Sequence, residues 1–125
     1  MAIIARLFMA ALAGLHAYFG WLEMFRWTAP RTIEAFGLTP EFAEASRILA
    51  VNQGAYNWIF AAGMLWAAFA PLRLARPLGF FFSGAALAAG LFGGATGPDS
   101  IFLYQALPGA LALAAVYVSQ RPKFR

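Results

Sequence analysis

Between residues 3 and 119 the chain runs through long apolar stretches that are broken only by short links carrying proline, glycine and most of the charge. Each stretch must satisfy its backbone polar groups internally if it lies in lipid, and for segments of this length the helix is the structure that does so. The first runs from about 3 to 27, roughly 37 Å at 1.5 Å per residue. A second helix opens near residue 40: Thr39 supplies an N-cap, Pro40 suits the first helical position and Glu41 complements the dipole. Its first turns, with Glu41, Glu44 and Arg47, stand in or above the headgroups, so its span covers roughly residues 48–70 before Pro71 ends it. Two further spans cover about 77–94 and 100–119, separated by the turn at Gly97-Pro98. Residues 28–39 read as a turn-bearing connection and 72–76 as a short basic link. The expected fold is all-α: one membrane domain, a four-transmembrane-helix bundle.

Composition agrees. The 125 residues are 62% hydrophobic and 11% charged, with mean hydropathy +0.69, outside the range of soluble domains. The net charge of +4 does not indicate nucleic acid, because the basic residues sit at the ends of apolar spans rather than on one face. The absence of cysteine excludes disulfides, iron-sulfur clusters and thiolate zinc sites. The run from Leu7 to Phe25 is too long for the apolar core of a signal peptide and lacks a small-residue exit, so it is expected to be a retained span. Arg6, Arg73, Arg76, Arg121, Lys123 and Arg125 fall on the side of the termini, whereas Arg26, Arg31, Arg47 and all five acids fall on the other. The positive-inside rule then places both termini in the cytoplasm.

Inside the spans, a set of polar side chains breaks the apolar pattern. His16 and Glu23 are seven residues apart, two helical turns, and share a face with Gly20 between them, which leaves room beside that face. On the second span Asn52, Gln53, Tyr56 and Asn57 fall within an arc of roughly 140°. Leu49, Phe60 and Gly63 extend that stripe, while Trp58 is expected to point away, to lipid. On the fourth span Tyr104 and Gln105 lie beside Pro108, which cannot donate to the carbonyl of Tyr104. By helical rise, Glu23, Asn52 and Gln53 lie just under the outer surface, Gln105 roughly 8 Å down, and Asn57 and His16 roughly 10–12 Å down. Polar groups from three helices thus share one half of the membrane, where intramembrane ionisable residues are costly and usually functional.

The set reads as a ligand-binding pocket built from His16, Glu23, Asn52, Gln53, Tyr56, Asn57, Tyr104 and Gln105. It would take a small amphipathic or lipophilic molecule whose apolar part lies among Phe60, Met64 and the third-span glycines. Two other readings stay open. His16 and Glu23 could be the acid-base pair of an intramembrane, isomerase-like enzyme. Alternatively the polar groups are interhelical glue in a structural or accessory subunit, with Glu23 snorkelling to pair with Arg26. One histidine and one carboxylate fall short of a zinc site, and His16 alone cannot give bis-histidine haem ligation, so neither metal nor cofactor is expected. The expected partners are membrane lipid and a small amphipathic ligand. Gly84, Ala86, Ala88, Ala89, Gly90 and Gly93 on the third span give small-xxx-small spacings suited to close packing against another span or a second copy of the chain.

The blocks Leu22-Glu23-Met24-Phe25-Arg26-Trp27, Phe36-Gly37-Leu38-Thr39-Pro40-Glu41-Phe42 and Ala50-Val51-Asn52-Gln53-Gly54-Ala55-Tyr56-Asn57 carry a resemblance to the bacterial integral membrane family known as domain of unknown function 1304. The middle of the last block reads Ala-Asn-Gln-Gly in that family, with Val51 here in place of the alanine. The resemblance implies a small four-span protein and brings no catalytic residues with it. A looser likeness, in architecture and residue types only, is to four-span proteins of the emopamil-binding and sigma-2-receptor type. In those, carboxylates, amides and a histidine line an intramembrane pocket.

Overall fold

Nearly every segment between the proline and glycine punctuation is helical in the computed structural model, which describes residues 1–119. The helices are α1 (Ile3–Phe25), α2 (Pro30–Phe36), α3 (Pro40–Phe69), α4 (Leu72–Thr96) and α5 (Leu107–Val118), with a π-helical segment at Phe102–Ala106 leading into α5. No strand occurs among the described residues. Two of the helices, α1 and α4, are long and apolar enough to cross a membrane, and Phe102–Val118 forms a shorter apolar helix. The basic tail from 120 to 125, with three of the cations that orient the chain, lies outside the described residues.

Two expectations change. The connection at 28–39 contains a helix: Pro30 occupies its first turn, and Gly37, at φ 64°, ends it in the left-handed conformation that glycine adopts freely. The amide of Leu38 then donates to the carbonyl of Ile33, closing a Schellman-type stop. Residues that read as turn punctuation are here the two ends of one short helix. The basic link at 72–76 is also helical. The amides of Leu74 and Ala75 both donate to the Pro71 carbonyl, so α4 starts directly after Pro71 and carries Pro77 inside it. Thr39 caps α3 as expected, its hydroxyl oxygen accepting from the Phe42 amide at 3.2 Å.

The chain divides into two compact units, Gly14–Ala61 and the remainder, Met1–Ala13 with the chain from Ala62 on. In the second of these, α4 buries a stripe of small residues, Ala75, Gly79, Ser83, Ala86, Gly90 and Gly94. A Cβ at Gly90 would meet the backbone of Ala106, and one at Gly109 the backbone of Leu87, so α4 and the α5 segment touch main chain to main chain. Part of the small-residue face, at Gly90, thus packs within the same chain, whereas Ala88 and Ala89 are exposed. Gly84 has open space around it. In the same unit the Arg6 guanidinium donates to the carbonyls of Ala68 (2.6 Å) and Ala70 (3.0 Å), satisfying acceptors at the C-terminal end of α3.

Candidate functional site

The Gly14–Ala61 unit holds the second half of α1, all of α2 and α3 as far as Ala61. Its α1 and α3 segments approach closely at two glycines. A Cβ on Gly20 would lie 2.8 Å from the carbonyl oxygen of Gly54, and a Cβ on Gly54 would lie 2.8 Å from that of Gly20. The space expected beside Gly20 is thus taken up by backbone and by Trp58. Far from facing only lipid, as its position on the helix suggests, that indole lays its ring edge against Gly20 and donates from Nε1–H to the Ala17 carbonyl at 3.1 Å, although 43% of the residue stays exposed. A large ring with one donor can cover a glycine and leave its outer face free, so Trp58 serves both surfaces.

This close approach brings three of the candidate polar residues into one hydrogen-bonded chain. Asn57 donates from Nδ2 to Glu23 Oε2 at 2.7 Å, while its Oδ1 lies 2.8 Å from His16 Nδ1. The order of the atoms follows from the chemistry of the ends. A carboxylate can only accept, so the amide nitrogen faces Glu23 and the amide oxygen faces His16; that oxygen in turn requires a proton on Nδ1. Neutral His16 is then the Nδ1–H tautomer, with a bare lone pair on Nε2. His16 is 1% exposed, and Nε2 has no hydrogen-bond partner among the described residues. The ring packs edge-on against Phe60 (5.2 Å) and Phe19 (6.0 Å).

Glu23 has a second side. Together with Trp27, Phe42, Ser46, Leu49, Ala50 and Gln53 it lines a recess of about 260 Å3. On α3 the spacing 42, 46, 49/50, 53 is one helical stripe, and Asn57 continues it. Trp27 is set as a wall from two directions: its ring lies 5.2 Å from Phe36 of α2, and its Nε1–H donates to Ser46 Oγ at 3.0 Å. Ser46 in turn donates to the Phe42 carbonyl at 2.7 Å, so its hydroxyl is already used. Glu23 Oε1 and the Gln53 amide make no hydrogen bond among the described residues. The Glu23–Arg26 pair of the alternative, interhelical-glue reading does not form among the described residues. Among those residues the ion pair present is Glu44 with Arg47, at 3.3 Å on the exposed start of α3.

Other candidates lie elsewhere. Asn52 is exposed and Tyr56 is 63% exposed. Tyr104 and Gln105 belong to the other unit, on the π-helical segment, with Tyr104 56% exposed. There the amide of Leu107 reaches back five residues to the Phe102 carbonyl, next to Pro108, which has no amide proton to offer. Met64, expected to border the pocket, is fully buried in that same unit. Trp27, Phe42 and Ser46 line the recess although the polar pattern of the sequence does not point to them. The 42–46–49–53–57 stripe carries the signal, but it begins in the polar first turns of α3, outside the expected span. No group of three or more metal-ligating side chains occurs among the described residues.

Comparison with curated proteins returned no match, and neither did comparison with solved structures. Residues 10–117 match the family described as "Protein of unknown function (DUF1304)", a range that contains all three blocks on which the resemblance rests as well as the relay and the recess. This chain is a member of the DUF1304 family.

Proposed function

We propose that this protein is a multi-pass, four-span protein of a bacterial inner membrane, with both termini in the cytoplasm, that binds or passes a small amphipathic molecule at the recess beside Glu23. Four spans follow from adding two stretches to the membrane-capable α1 and α4. One is the apolar part of α3, a helix of 30 residues; the other is the Phe102–Val118 helix. The excess of Arg and Lys beside the termini sets the orientation.

One observation carries the reading. A carboxyl group with one oxygen held by Asn57 and the other without a donor among the described residues faces a recess walled by Trp27, Phe42, Leu49 and Ala50. A mostly apolar concavity with few polar groups at fixed positions is the usual form of a small-molecule site. Its volume of about 260 Å3 lies at the low end of small-molecule pockets, which run to roughly 300–1,000 Å3, so the part of a guest that enters is small. In this reading His16 and Asn57 position Glu23, because the recess is lined by Glu23 and not by His16. Acid-base chemistry at His16 would need a route to its Nε2, so binding is the better-supported function. The test is whether the protein leaves the membrane with a molecule bound, and whether bulk added at Gln53 expels it.

A further inference from the structure

The same recess says something about the charge of what it takes. Glu23 Oε2 accepts from Asn57, a neutral donor, and Oε1 has no donor among the described residues. Cations of its own chain do not neutralise it: among those residues Arg26, three positions on, and Arg31, eight positions on, make no ion pair, and Arg47 is engaged by Glu44. A carboxylate at the edge of an apolar recess, without a countercharge from its own chain, is stabilised by any cation that fits beside it. Two of the walls, Trp27 and Phe42, present aromatic rings, and ring faces attract ammonium groups. Of the neutral polar groups, Ser46 spends its proton on the Phe42 carbonyl, which leaves the uncharged Gln53 carboxamide as the donor with free N–H groups.

We infer that the recess selects cationic guests, amines or quaternary ammonium compounds, with the charge seated on Glu23 between Trp27 and Phe42. The inference rests on the reading that the recess binds a small amphipathic molecule, and it adds the class of head group. Seating such a cation leaves the Asn57 bond on Oε2 intact and fills the free position on Oε1, so the relay to His16 holds Glu23 in place for its guest.

The test compares three probes of similar size at neutral pH on the full-length protein in lipid nanodiscs: benzylamine (cationic), benzyl alcohol (neutral) and benzoate (anionic). The readout is the Trp27 indole N–H resonance, identified by its loss in Trp27→Phe. Benzylamine is expected to shift it at concentrations at least ten-fold lower than benzyl alcohol, with benzoate weakest, and Glu23→Gln is expected to remove the difference between amine and alcohol. Equal responses to amine and alcohol would overturn the charge selectivity and leave the recess as a neutral site. A preference that persists in Glu23→Gln would overturn Glu23 as its seat. No shift with any of the three would overturn both the selectivity and the recess as a binding site. Should Glu23→Gln not fold, the ranking of the three probes on the wild-type protein decides alone.

Discussion

Asn57 is the side chain on which the relay depends, and its removal has a calculable cost. Asn57→Ala deletes both hydrogen bonds, at 2.8 Å to His16 and 2.7 Å to Glu23, and strands Nδ1–H of a histidine that is 1% exposed. Interhelical hydrogen bonds in lipid average about 0.6 and reach about 1.7 kcal/mol. An orphaned buried donor costs about 1–3 kcal/mol. With two bonds lost and one fully buried group unpaired, the expected destabilisation is about 2 kcal/mol, roughly a thirty-fold change in the unfolding constant. Reversible unfolding in bicelles, followed by steric trapping, measures this directly. Double-mutant cycles separate the relay from the volume lost on truncation: Asn57→Ala with His16→Ala, and Asn57→Ala with Glu23→Ala, should each show a coupling of at least about 0.6 kcal/mol. A cost below about 0.5 kcal/mol, or strict additivity in both cycles, would mean that Asn57 does not bridge the two helices and that Glu23 is not held from behind.

The helix crossing gives a paired prediction. Gly20→Ala places a Cβ 2.8 Å from the Gly54 carbonyl oxygen and into the Trp58 ring at Cδ1, and should destabilise by about 1–3 kcal/mol in the same assay. Gly84→Ala meets nothing within 4 Å and should be neutral or stabilising by up to about 1 kcal/mol. Equal effects at the two positions would refute the crossing. Arg6→Ala removes both donors from the carbonyls of Ala68 and Ala70 and should cost about 1 kcal/mol, with faster amide hydrogen exchange confined to the last turn of α3. Unchanged exchange there would show that the cap contributes nothing.

Much of the relay is legible in the sequence. The seven-residue spacing of His16 and Glu23 puts both on one face, and Asn57 lies on the arc of α3 that turns toward them. What spacing cannot supply is the direction in which a large side chain reaches. Trp58 follows Asn57 in sequence and so points toward lipid by helical phase, yet a ring of its length crosses to Gly20 and Ala17. The crossing is also hidden by the ambiguity of glycine: Gly20 reads equally as free space or as a backbone contact, and only the presence of Gly54 opposite decides. The short helix α2 is masked because Pro30 and Gly37 serve turns as readily as helix ends. It matters for the recess, since its Phe36 braces Trp27, one of the lining residues. For Tyr104 and Gln105 the obstacle is the π-helical turn, which adds a residue to the turn and rotates side chains away from the positions that 100° per residue predicts. Pro108 is the visible trace of that irregularity, although by itself it indicates only a freed carbonyl.

The central claim is that the recess beside Glu23 holds a guest. Native mass spectrometry of the protein, extracted from its own membrane in a mild detergent, tests it against Gln53→Trp, which adds bulk at an exposed lining position and leaves the relay untouched. The wild-type protein should carry an adduct of defined small mass beyond bound lipid, and Gln53→Trp should lose that adduct while keeping its lipid adducts and its thermal stability. An adduct that is absent from the wild-type spectrum, or one that survives Gln53→Trp unchanged, would contradict the claim.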